Sequence, residues 1–190
     1  MSEWDESANR PEGYFQDDEG SFYKRVAERH PNGILVELGV HLGKSLSYVL
    51  PICRQLKIQV YAVDVWEDFC AHFGDGNQPN TIVAFTANLE RMNAQDIVKI
   101  VKLDSVKAAN QFADESVDIV HLDTFHTEHP TIEEIDAWWP KLKISGEMLF
   151  HDYFLDETKE QWAVRKVVDQ KLGKPDEVHV TLASIRKTKH

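Results

Sequence analysis

Short apolar runs alternate along this chain with stretches whose apolar residues recur every three or four positions. The first run covers 34–38 and is rich in β-formers, as expected of a strand buried on both faces. After it, Leu46, Val49, Leu50 and Cys53 share one helical face, with Pro51 predicted to kink that helix without breaking it. Further strands are expected at 58–63, 97–103, 117–122 and 147–150, the last entered through a turn at Ser145-Gly146. Between them lie helical stripes: Ile82, Phe85, Leu89 and Met92; then Ile132, Ile135, Trp139 and Leu142; then Val164, Val167, Val168 and Leu172. A helix over 21–30, stopped by Pro31-Asn32-Gly33, delivers the chain into the first strand. Residues 177–187 read as two strands with a close turn. Alternating strands and helices predict an α/β fold, a doubly wound and mostly parallel sheet whose final hairpin strand runs antiparallel.

Residues 1–18 break the pattern. They are acid-rich, yet carry Trp4, Tyr14 and Phe15, and are read as an extended arm, partly disordered at its start. Those aromatics suit a patch on the core, a lid over a ligand or a homodimer contact. Residues 19–190 then form one domain, a size that supports a substantial core. The 65–80 connection exceeds the usual length and is a candidate for function, with His72 within reach of a substrate.

Charge narrows the classes. With 21 basic and 32 acidic residues the net charge is −11, which argues against nucleic acid and anionic membrane as partners. Two cysteines, Cys53 and Cys70, with Cys53 on a core face, do not make a disulfide framework. The first residues lack an apolar signal core and no run is long enough to span a bilayer, so a cytoplasmic protein is expected.

The candidate chemistry lies at the predicted strand ends, the edge where open α/β sheets bind ligands. The first strand carries Glu37 and runs into a turn bracketed by Gly39 and Gly43, with His41 inside it and Ser45 opening the helix. The spacing is Gly-x-x-x-Gly and not the dinucleotide pattern Gly-x-Gly-x-x-Gly. The second strand ends at Asp64-Val65-Trp66, with Asp64 25 residues beyond Gly39, where a carboxylate can accept from both ribose hydroxyls. Trp66 is a candidate to pack on ribose or adenine. Asp104 and Ser105 end the third strand and suit an adenine amino group, a helix cap or both. The fourth ends at His121-Leu122-Asp123, the fifth at His151-Asp152-Tyr153.

Four segments in order, Val-Glu-Leu-Gly-Val-His-Leu-Gly-Lys-Ser, Ala-Val-Asp-Val-Trp, Val-Asp-Ile-Val-His-Leu-Asp-Thr-Phe-His and Leu-Phe-His-Asp-Tyr, resemble the class I S-adenosylmethionine-dependent methyltransferase family. Within it, the chain is similar to the small branch often found beside cell-surface sugar and antibiotic biosynthesis. The resemblance covers about residues 20–190 and implies a Rossmann-like seven-stranded sheet with a reversed final hairpin. It implies S-adenosyl-L-methionine as cofactor, held by Glu37, Gly39, His41, Gly43, Ser45, Asp64, Val65, Trp66, Asp104, Ser105 and Asp123. It also implies O-methylation of a small hydroxylated acceptor. The branch commonly has Asp-Gly-Asp-His after strand four. Asp123 and His126 match this, while Phe125 replaces the second acid.

Some relatives bind a divalent metal with the strand-four Asp and two residues after strand five. Carried over, the ligands are Asp123, His151 and Asp152, a set suited to Mg²⁺, Mn²⁺ or Fe²⁺. Asp123 and His126 are the catalytic candidates, His126 as general base because its ordinary pKa lies near neutrality. Two alternatives stay open: a metal-dependent enzyme of another class using the same residues, and a non-catalytic protein that binds the nucleoside.

Overall fold

The computed structural model describes residues 10–66, 81–154 and 162–189. The expectations for Trp4, Cys70, His72 and most of the 65–80 and 153–162 segments therefore lie outside the described residues. In chain order the elements are α1 (Asp17–Glu28), β1 (Ile34–Leu38), α2 (Lys44–Gln55), β2 (Gln59–Asp64), α3 (Thr81–Arg91), β3 (Val98–Lys102) and α4 (Ser105–Ala108). A 3-10 turn at Ala109–Gln111 leads to β4 (Val117–Leu122), α5 (Glu128–Trp138), β5 (Leu142–Phe150), α6 (Val164–Lys171), β6 (Glu177–His179) and β7 (Leu182–Arg186).

The seven strands form one sheet in the order β3-β2-β1-β4-β5-β7-β6. The first five are parallel, while β7 runs antiparallel to both β5 and β6, as the hairpin reading predicts. Successive strand residues serve opposite faces. Leu35, Val60 and Ile119 join Phe22, Val26, Leu46, Val49 and Phe85 from α1, α2 and α3. Val36, Val63 and Val120 join Ile135, Trp138, Val167 and Val168 from α5 and α6. Both faces are thus covered, and the ligand-binding edge of the sheet is left to the loops after the strands. Cys53 is buried on the first face, where burial, and then the nearby Glu37 carboxylate, push its thiol up to about 12. Among the described residues no helix is long and apolar enough to cross a membrane.

Three boundaries differ from the expectation. Helix α1 starts at Asp17, inside the expected arm, because the Glu19 carboxylate takes the Gln16 amide at 2.9 Å and closes a capping box. Helix α5 starts at Glu128 and accommodates Pro130 in its first turn, where a proline has no helical N–H to lose. Strand β5 runs through Ser145-Gly146, which forms an irregularity in the strand and not its entrance. Ser145 has φ 67°, and the register against β4 shifts between Val117 and Ile119. Helix α2 continues through Pro51.

Candidate functional site

The glycine turn is built by close backbone approach. Gly39 adopts φ +82°, and a Cβ there would stand 2.0 Å from the carbonyl oxygen of Asp123. The β1–α2 turn and the β4 end therefore touch directly. Gly43, the α2 N-cap at φ +83°, lies against the Phe85 ring. His41 lies between them at φ 51°.

Asp64 ties this turn to the end of β2. One carboxylate oxygen accepts from the His41 amide at 2.8 Å and the other from the Trp66 amide at 2.7 Å. The Trp66 indole donates to the His41 carbonyl at 3.0 Å. Its ring is buried and stacks on Phe85 at 5.3 Å, so it packs on the core. Trp66 itself has φ 44°. Val65 remains at the open edge, 39% exposed.

Glu37 does not reach the edge. It is fully buried, accepting from Ser45 Oγ at 2.5 Å and Tyr23 Oη at 3.0 Å, with His121 Nδ1 at 3.1 Å. A buried carboxylate is tolerated when its lone pairs are met in this way. Glu37 and Ser45 thus hold α1, the start of α2 and β4 together beneath the turn.

Asp104 caps α4 by accepting from the Lys107 amide at 3.0 Å. Ser105 donates to Glu134, a residue of α5 that the sequence pattern does not single out. Glu134 is 2% exposed and also accepts from Thr124 Oγ1. Burial pushes its carboxyl above the usual range, against the opposing effect of these two hydroxyls.

At the ends of β4 and β5 the structure brings Asp123, His126 and Asp152 together, one donor atom from each within 4.8 Å of the others. His126 Nε2 is 2.7 Å from Asp152 Oδ2 and 4.0 Å from Asp123 Oδ1. Among the described residues this buried nitrogen has no partner in hydrogen-bond geometry. Asp152 has a left-handed backbone, φ 58°. Burial raises the Asp152 carboxyl, but His126 and His151 outweigh it and hold the group below the usual carboxylate range.

His151 takes a different place from the one its position in the sequence suggests. It is 6% exposed, with Nδ1 3.1 Å from Asp123 Oδ1 and 3.3 Å from Asp152 Oδ2, and with Nε2 3.4 Å from Glu19 Oε2. Both ring nitrogens are committed to carboxylates, and His126 occupies the position in the cluster expected for His151. Desolvation opposes a charged ring, yet Asp123, Asp152 and Glu19 raise its pKa far above the ordinary imidazole value. The Phe15 ring stacks on it at 5.1 Å, so part of the arm is core packing.

Of the other candidates, Trp162 packs beside His126 at 4.9 Å and Phe125 is 56% exposed at the same edge. Tyr153 is buried and donates to Asp169 at 2.6 Å, away from the cluster. His129 is at a helix entry, paired with Glu133 at 3.3 Å.

Comparison with known proteins places this arrangement. A family described as a methyltransferase domain matches residues 36–153, from within β1 to just past the end of β5. The uncharacterized protein y4gI of Sinorhizobium fredii is 29% identical over 124 residues, 62% of this chain and 13% of that protein, so the chain spans about an eighth of its length. Among solved structures, a Corynebacterium glutamicum protein superposes with a TM-score of 0.71 at 14% identity, covering 94% of this chain and 84% of its own. The SAH-bound methyltransferase PaMTH1 of Podospora anserina gives 0.66 at 13% identity, covering 93% and 80%. The TDP-rhamnose 3'-O-methyltransferase CalS11 of calicheamicin biosynthesis gives 0.63 at 14%, covering 88% and 77%. At such identities the likeness is one of fold.

Proposed function

We propose that this chain, which belongs to the methyltransferase-domain family and is an S-adenosylmethionine-dependent methyltransferase, methylates an oxygen of a small hydroxylated acceptor. The observation that carries this reading is the contact between the two halves of the edge. Gly39, in the cofactor turn, abuts Asp123, and Asp123 belongs to the cluster with His126 and Asp152. A methyl donor over the turn and an acceptor over the cluster are then neighbours, as in-line displacement requires. The acceptor oxygen forms a bond to the methyl carbon, the carbon–sulfur bond breaks, and its electron pair neutralises the sulfonium. The acceptor proton passes to His126 Nε2, the buried nitrogen with no partner in hydrogen-bond geometry among the described residues. Trp162 beside His126, with Phe125 exposed nearby, favours an acceptor with a ring face, and the CalS11 likeness supports a sugar.

A second reading is favoured by the same orphaned nitrogen. An imidazole nitrogen 2.7 Å from a carboxylate oxygen, outside hydrogen-bond geometry among the described residues, is met either by a proton on the ring or by a cation held between the two. Two carboxylates and one imidazole suit a hard divalent cation, so Asp123, His126 and Asp152 fit as its holders. Such a cation supplies a lowered acceptor-hydroxyl pKa.

The test uses S-adenosylmethionine labelled in the methyl group, a panel of sugars and phenols, and Mn²⁺ or EDTA in parallel. Base-stable labelled product, lost in His126→Ala, is expected. Base-labile product would mean a carboxylate acceptor and overturn O-methylation of a hydroxyl. Turnover abolished by EDTA and restored by Mn²⁺ selects the second reading, and turnover indifferent to both selects the first.

A further inference from the structure

We propose that Glu19, on the N-terminal helix, is a positioning residue of the acceptor site, acting through His151 on Asp123, Asp152 and His126. This rests on the reading of those three residues as the acceptor site. Glu19 is fully buried, and both of its oxygens meet specific partners. Oε1 accepts from Thr181 N at 3.0 Å and Thr181 Oγ1 at 2.5 Å, in the turn between β6 and β7. Oε2 accepts from the Gln16 amide at 2.9 Å and lies 3.4 Å from His151 Nε2. One carboxylate thereby joins the start of α1, the final hairpin and the end of β5.

The consequence falls on His151. Glu19 holds one nitrogen, Asp123 and Asp152 face the other, and Phe15 covers one face of the ring. A ring held at both nitrogens and on its face has one orientation. A ring flip would present carbon atoms to the carboxylates. With His151 fixed, Asp123 Oδ1 and Asp152 Oδ2 are each anchored on the His151 side, and Asp152 Oδ2 is also the oxygen that meets His126 Nε2. The segment from Phe15 to Glu19 is therefore part of the site, although it lies more than 100 residues before the groups it orients. A buried carboxylate needed only to tether helix and hairpin would be satisfied by Thr181 and Gln16 without approaching the imidazole.

The test is ¹⁵N NMR of the histidine rings in the full chain, with SAH affinity and melting temperature measured alongside. His126 and His151 signals are assigned by single substitution. In Glu19→Gln both His151 and His126 ring signals are expected to move, although Glu19 does not touch His126, while SAH affinity stays within about twofold of wild type. Thr181→Val removes the hydroxyl half of the hairpin tether, keeps the Thr181 amide bond to Glu19 and leaves the His151 contact, so the His126 signals are expected to hold. Unmoved His126 signals in Glu19→Gln, or equal movement in Thr181→Val, would overturn the proposal. Should Glu19→Gln not fold, the wild-type protein decides. A His151 Nε2 proton protected from solvent exchange supports the contact, and rapid exchange overturns it. None of these readouts needs methyl transfer, so a failed acceptor assay would count against the proposed function and leave this result standing.

Discussion

Gly39 and Asp123 meet backbone to backbone, leaving no room for a side chain: a Cβ on Gly39 would lie 2.0 Å from the Asp123 carbonyl oxygen. The contact sets the spacing between the glycine turn and the cluster of Asp123, His126 and Asp152. Gly39→Ala must push the two apart, in addition to the roughly 1–2 kcal/mol that a left-handed backbone costs a non-glycine residue. Gly173 provides the control, with φ +91° and nothing within 4 Å of where a Cβ would stand. Gly173→Ala is expected to lower the melting temperature by about 2–8 °C and leave SAH binding intact. Gly39→Ala is expected to lower it further and weaken SAH at least about tenfold. Equal behaviour of the two variants by scanning calorimetry and titration would refute the close-contact argument.

Two buried carboxylates predict opposite pH responses. Burial raises Glu19, but its bonds from His151, Thr181 and Gln16 prevail and bring it from 4.5 down to about 2. Its contribution to stability is present above the unfolded value and is lost as pH falls from about 4.5 toward 2. Glu134 is shifted upward by burial, so its contribution is present below the unfolded value and lost as pH rises through the folded one. Urea unfolding at several pH values is expected to show Glu19→Gln flattening the acid limb. Glu134→Gln is expected to be neutral or stabilising at about pH 8, since Gln keeps an acceptor for Ser105 and Thr124 without the buried charge. A steep loss at that pH in Glu134→Gln would reverse the sign assigned to burial.

The strands were legible because a run buried on both faces is mostly apolar, as 34–38 is apart from Glu37 and 117–122 apart from Asp118 and His121. The reversed hairpin was legible from two short strands too close for a crossover. What the sequence hid were contacts between distant positions. Glu37 reads as an edge acid until Tyr23 and His121, 14 and 84 residues away, prove to be its partners. Glu19 and Glu134 look like ordinary helix-surface acids, and only the packing of α1 on the hairpin and of α5 beside α4 buries them. The cluster brings in His126 beside Asp152, whose φ of 58° is a backbone choice that residue type alone does not announce. Trp66 likewise combines φ 44° with a ring stacked on Phe85, neither of which residue type announces.

Asp64 uses both oxygens on backbone amides of different segments, His41 and Trp66. Asp64→Asn replaces one oxygen with an NH₂ group that must face one of those N–H donors. The turn carrying Gly39, His41 and Gly43 then loses an anchor, and any hydroxyl pair of a bound ribose loses an acceptor. SAH affinity is expected to fall by about tenfold or more. Asp104→Asn is the contrast, because its cap needs one oxygen only and asparagine caps as well. It is expected to leave the fold unchanged and to weaken SAH only if Asp104 also meets the adenine. Isothermal titration on both variants checks this, and full SAH affinity in Asp64→Asn would remove Asp64 from the cofactor site.

Glu37 is expected to behave as a structural carboxylate. From its place two residues before Gly39, a substitution should remove cofactor binding and spare the fold. The geometry predicts the reverse order of effects. Glu37→Ala strands the Tyr23 hydroxyl, the Ser45 hydroxyl and His121 Nδ1 inside the core, and His121 Nε2 already has no hydrogen-bond partner among the described residues. Each buried polar group left unmet costs about 1–3 kcal/mol. A combined loss of about 3 kcal/mol or more lowers the melting temperature by roughly 6–12 °C for a chain of this size. Loss of SAH affinity would then follow from loosening of α2 beneath the turn and be recovered in part on cooling. The double variant Glu37→Leu with His121→Leu, which removes the charge and its principal partner together, is expected to be more stable than Glu37→Ala. Were Glu37→Ala to keep the wild-type melting temperature while losing SAH at every temperature, Glu37 would have to be a direct ligand of the cofactor, and the network with Tyr23 and His121 incidental to it.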